Sequence, residues 1–148
     1  METPDRATGI RPALLNLALV ALLGTLLRYK IAFYFPQVQQ KNLLYAHYHF
    51  AFTGWLAHAL YAAFTSRMLP VLTLQRQQRY KLLLRFNLVA AWGWLLSFVW
   101  QGYGVLAILF SLLGLLVAVV FAVSFTKDAR GLPPQVLPAN WAGTALWL

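Results

Sequence analysis

All three histidines of this sequence, His47, His49 and His58, fall in one apolar stretch without a formal charge, residues 42–64. An ionisable ring inside an apolar helix is costly enough to mark a functional site by default. Imidazole can ligate a metal, serve as an axial haem ligand, carry a proton or bond across helices. Spacing narrows the choice. Residues two apart on a helix differ by about 200°, so His47 and His49 point to opposite faces and cannot share one metal ion. His47 and His58 return to the same face within about 20° but lie about 16 Å apart along the axis. A metal or haem site on His47 therefore needs a second ligand from another helix, and no other histidine exists in the chain.

The His47 face also carries small residues. Gly54 lies within about 20° of it and Ala51 within about 40°, which lets a flat group or another helix approach closely. Arg28 and Lys30 are placed near the same outer level as His47. They suit either the neutralisation of cofactor carboxylates, such as haem propionates, or snorkelling to lipid headgroups. His47 and His49, in the first turns of their helix, equally suit hydrogen bonds to water or backbone at the membrane surface. The deeper His58 suits bonding to a neighbouring helix.

The elements that must position these residues read as spanning helices. The chain has 148 residues, is 61% hydrophobic with a mean hydropathy of +0.63, and is only 10% charged. A soluble domain carries roughly 25% charged residues. Apolar runs near the roughly 20 residues of a spanning helix predict an all-α integral membrane bundle: helices over residues 12–34, 42–64, 82–103 and 105–125, then the start of a fifth at 141–148. The first opens at Pro12, where a missing N–H costs nothing, and ends before Pro36. The turn at Gln101-Gly102-Tyr103-Gly104 is very tight. Residues 67–81 read as a basic connection, and the basic stretch from Arg67 to Arg85 as lying on anionic lipid, with nucleic acid a distant second. The short loops favour a single up-and-down bundle, and the apolar stub at 141–148 reads as the point where a longer protein is cut.

Without cysteine there are no disulfides, thiolate metal sites or thiol catalysis. No phosphate loop, dinucleotide fingerprint or Ser-His-Asp order is present, and nothing marks a catalytic residue. No small-residue cleavage site precedes Arg28, so the first helix is expected to be retained. Arg6, Arg11, Arg67, Arg76, Arg79, Lys81, Arg85, Lys127 and Arg130 fall on one predicted side, against Arg28, Lys30 and Lys41 on the other. That asymmetry predicts a cytoplasmic N-terminus. The expected partners are the lipid bilayer and further membrane subunits or helices.

The runs Leu27-Arg28-Tyr29-Lys30-Ile31, Lys41-Asn42-Leu43-Leu44-Tyr45-Ala46-His47-Tyr48-His49-Phe50-Ala51-Phe52 through Gly54-Trp55, and Gln101-Gly102-Tyr103 carry a resemblance. In them the sequence resembles the N-terminal part of uncharacterised bacterial multi-pass proteins related to the haem-copper oxidase subunit I superfamily. That superfamily includes the cytochrome c and quinol oxidases and the nitric oxide reductases. The resemblance implies a longer chain in a bacterial inner membrane and a low-spin haem held by an early-helix histidine near the outer face. The matching positions are His47 first and His49 second, with Arg28 and Lys30 near the propionates. The related motif reads His-Ala-His-Ser-His; here Tyr45 stands at its first histidine and Tyr48 at its serine. The copper-bearing helices have no counterpart, so the resemblance implies a redox-type subunit that is not catalytic alone. The alternative is a non-redox multi-pass protein, transporter-like or structural, whose histidines serve packing.

Overall fold

The structure is a computed structural model and describes residues 9–131. They fold into α1 (Ile10–Ala32), α2 (Gln40–Phe50), a π-helical segment (Ala51–Ala57), α3 (His58–Met68), a short 3-10 turn (Leu69–Val71), α4 (Leu74–Gln101) and α5 (Val105–Ala129). Among the described residues there is no strand, as the apolar patterning predicts. The proline-rich loop at 132–140 and the apolar stub at 141–148 lie outside the described residues.

Among the described residues three helices are long and apolar enough to cross a membrane: α1, α4 and α5, whose 18-residue apolar stretches have mean hydropathies of 1.9, 1.6 and 3.0. The stretch expected as the second span is helical throughout but is not one α-helix. The π segment divides it, while φ/ψ of −60/−42° at Ala51 and −63/−42° at His58 keep the backbone right-handed helical across both joints. In a π-helix the hydrogen bonds run from i to i+5, so its turns are wider than those of the flanking α-helices.

Two boundaries differ from expectation in a way that matters. α4 starts at Leu74, not at 82, so most of the expected basic connection is helix. Gln75, Arg76, Gln77, Gln78, Arg79 and Lys81 are all good helix formers, and the Gln77 amide donates to the Leu69 and Leu72 carbonyls, closing the end of the preceding turn. α5 continues past residue 125 to Ala129 and so includes Lys127 and Asp128. The expected tight turn is present: Gly102 has φ +67°, and a Cβ there would meet Asn42 Oδ1 at 2.7 Å.

With α2, the π segment and α3 taken as one stretch, successive helical stretches pack antiparallel. Gly9 meets Ala62 and Gly24 meets His47 across α1 and the second helical stretch. His49 meets Trp94 across α2 and α4, and Gly93 meets Phe110 across α4 and α5. At the far end Tyr61 stacks on Phe121 with centroids 4.1 Å apart, bringing α3 against α5.

Two apolar clusters fill the interior, one around Phe50, Leu95 and Phe98, the other around Met68, Tyr80 and Phe121. Between them lies a polar layer of Asn16, Asn87 and His58, each at most 4% exposed. Outside, Leu15, Leu22, Leu96, Leu112 and Leu115 are all more than 60% exposed or close to it. Polar groups inside and leucine outside is the arrangement hydrocarbon favours, and it is the reverse of a water-soluble surface.

Candidate functional site

The site is built on the second helical stretch and its two neighbours. At its centre the π segment receives one amide from each side. Asn16 on α1 donates through Nδ2 to the Gly54 carbonyl at 2.5 Å, and Asn87 on α4 donates through Nδ2 to the Thr53 carbonyl at 3.1 Å. Phe50 folds back over Gly54, where a Cβ would meet its ring at 2.7 Å. Glycine is therefore the residue that lets the ring lie there.

Asn87 Nδ2 also lies 3.3 Å from His58 Nδ1. A carbonyl can only accept, so the bond to Thr53 identifies the amide nitrogen of Asn87 as the group on that side. The His58 Nδ1 must then be the acceptor, and a neutral His58 carries its proton on Nε2. This is the bond across helices expected for the deepest histidine. His58 was expected on the His47 face, a relation that holds for an unbroken α-helix. The wider turns of the π segment change the phase, so His58 meets α4 as well as the start of α1.

His47 and His49 diverge as their spacing predicts. The His47 ring lies against α1, its Cε1 3.2 Å from the place a Gly24 Cβ would occupy. The His49 ring faces α4, with its centroid 4.0 Å from Trp94 and 5.5 Å from Phe98. Each of the three histidines keeps one buried ring nitrogen with no hydrogen-bond partner: Nδ1 of His47, Nε2 of His49 and Nε2 of His58. In hydrocarbon an unpartnered polar atom costs up to several kcal/mol.

The two cations expected beside His47 are used differently. Arg28 is exposed and stands one helical turn beyond Gly24, on the same face of α1. Lys30 folds onto the connection just past the end of α1, donating to the Phe35 carbonyl and lying 5.2 Å from the Phe35 ring centre. Among the described residues, no group of three His, Asp or Glu side chains comes together to hold a metal ion, and His47 stands alone as a candidate ligand.

A cleft of about 290 Å³ opens where α5 diverges from the π segment, floored by Asn87 and Trp94. None of the three histidines lines it, so it is separate from the Gly24–His47 contact.

Sequence reasoning attached no role to Asn16, Asn87 or Asp128. The signal for the asparagines was their isolation in otherwise apolar helices, since a lone amide in a span seeks a partner on another helix. Asp128, only 7% exposed, accepts from Tyr80 Oη at 2.9 Å and pairs with Arg76 Nη1 at 2.8 Å. Its partners lie about fifty residues away in sequence, beyond any local pattern. No family model, curated protein or solved structure matches the chain.

Proposed function

We propose that this chain is a four-pass integral membrane protein with a cytoplasmic N-terminus, and that it serves as a binding subunit for a haem-type cofactor rather than as an enzyme by itself. The second helical stretch, Gln40 to Met68, forms the fourth crossing. Its π segment leaves it helical across the hydrocarbon, with the Gly54 and Thr53 carbonyls bonded by Asn16 and Asn87. The observation that supports the cofactor reading most is at the Gly24–His47 contact. There a buried imidazole nitrogen has no partner, opposite a glycine whose Cβ would crowd the ring.

In this reading His47 is the axial ligand and His49 the alternative. Arg28, one turn outward of Gly24, is the cation for the propionates, with Lys30 as a second once released from Phe35. Haem, when bound, supplies one-electron chemistry. The protein's part is to hold the imidazole, keep water away and balance carboxylate charge. A second axial ligand comes from a partner helix, because all three histidines lie on one helical stretch.

A second reading, a non-redox transporter-like or structural subunit, has its own observation in its favour. The Asn87–His58 bond and the two asparagine bonds to the π segment use intramembrane polar groups to join helices. The absorption spectrum separates the two. Protein expressed with haem supplied should show a reduced-minus-oxidised haem band that His47→Ala removes while the helical circular dichroism stays. A folded protein with no band, or a band untouched by His47→Ala and His49→Ala alike, overturns the haem reading and favours the second.

A further inference from the structure

The end of the bundle where α3 stops, α4 starts and α5 stops is distinguished by charge. Arg67, Arg79, Lys81, Arg85, Lys127 and Arg130 are all exposed there. Asp128, the sole carboxylate among the described residues, is already taken by Arg76 and Tyr80. The whole chain has 3 acidic residues, so Glu2 and Asp5 are the only others that could answer these six cations. The surface keeps a positive excess whatever those two do.

Depth decides what meets that excess. From Leu82 to its end, α4 covers about 30 Å, the thickness of the hydrocarbon core. Its first eight residues then rise about 12 Å further, through the headgroup layer. α5 behaves alike, since its apolar run ends at Phe125 and Lys127 and Arg130 follow. The Asp128–Arg76 pair and the Tyr80 hydroxyl bolt the two projecting ends together. Arg79 and Lys81 of α4 and Lys127 and Arg130 of α5 therefore stand in the headgroup layer on fixed helix ends and do not hang on a flexible connection, and Arg85, about one turn inside Leu82, reaches that layer by snorkelling.

We propose that this end is a docking surface for the phosphate groups of anionic phospholipids in the leaflet it faces. Charge complementarity carries the assignment, because guanidinium and ammonium groups at headgroup depth meet phosphate before they meet any soluble anion. The proposal rests on the membrane-spanning reading above and is independent of haem.

The full chain is reconstituted into nanodiscs of phosphatidylcholine alone and with roughly one-third phosphatidylglycerol. Lipids that stay with the protein on release into detergent are counted by native mass spectrometry. Phosphatidylglycerol should be retained in preference, and the preference should fade as salt rises. A variant carrying R79Q, K81Q, K127Q and R130Q should lose on the order of fivefold in retention per charge removed at low salt. Its melting temperature in pure phosphatidylcholine should match the wild type, because the Asp128 contacts are untouched. Equal retention of both lipids, an unchanged preference in the variant, or a preference indifferent to salt overturns the proposal. So does capture of an RNA oligonucleotide without any lipid preference. Should the variant not fold, the salt series on the wild type decides alone. Release of the chain from vesicles by alkaline carbonate is a different outcome, and it defeats the membrane-spanning reading itself.

Discussion

The bond between Asn87 and His58 permits a sharp test because its two partners lose different things. Asn87→Ala removes the donor to both the Thr53 carbonyl and His58 Nδ1. Hydrogen bonds between helices in a membrane average about 0.6 kcal/mol and reach about 1.7, so two of them put the single variant at about 1–3 kcal/mol. His58→Ala loses one of those bonds and leaves a void where a ring only 1% exposed was packed, for a total of about 2–4 kcal/mol. Only the shared bond is counted twice. A double-mutant cycle should therefore return a coupling of about 0.6–1.7 kcal/mol, and the Thr53 bond should drop out of it. Unfolding in mixed micelles with rising dodecyl sulfate, followed by the fluorescence of the 6 tryptophans, gives all four stabilities. A coupling below about 0.3 kcal/mol, the additivity limit of such cycles, refutes the bond as a link between α3 and α4. His58 would then be held by packing alone.

Gly102→Ala forces a side chain onto φ +67°, ψ −137°, a region open to little but glycine, at a cost of about 1–3 kcal/mol. Trimming the crowding side chain with Asn42→Ala should recover only part of the loss, and full recovery in the melting temperature would show that collision, not backbone conformation, sets the cost. At the Asp128 cluster the order of effects is the prediction. Arg76→Gln should destabilise by about 1–3 kcal/mol, because it strips the counter-charge from a carboxylate 7% exposed. Asp128→Asn should cost less, since the amide oxygen still accepts from Tyr80 and an Arg76 side chain 51% exposed reaches water. The reverse order in thermal melts contradicts the account of this cluster.

The helices were legible because hydrocarbon imposes a coarse rule, long apolar runs ended by proline, glycine or charge. The opposite directions of His47 and His49 followed from spacing alone, and the turn at Gly102 from two glycines around Tyr103. The start of α4 was hidden by its charges. Gln75 through Lys81 reads as a solvated connection when scanned for hydropathy, although each side chain in it except Tyr80 is a good helix former. The π segment left no mark at all. Phe52, Thr53 and Gly54 are weak helix formers of any kind and do not single out a π turn, and the amides of Asn16 and Asn87 that bond the Gly54 and Thr53 carbonyls come from separate helices. For the same reason the shared face of His47 and His58 could be worked out only for a regular helix.

That polar layer also answers a question the apolar residues leave open. In lipid, leucine gains little by leaving the hydrocarbon for another helix, so apolar faces choose their register weakly. α5 is apolar nearly all round and could slide or rotate at small cost. Asn16, Asn87 and His58 cannot, because a shift of one residue along either neighbour would turn a buried amide away from its carbonyl and toward lipid. The bonds at Gly54, Thr53 and His58 thus fix the depth of α1 and α4 against the second helical stretch, and with it the pairing of Gly24 with His47 and of Trp94 with His49. At its far end α5 is fixed by the same logic through Asp128. The groups that join the bundle are therefore the ones that set where each histidine points, and any ligand His47 takes is positioned from the π segment outward.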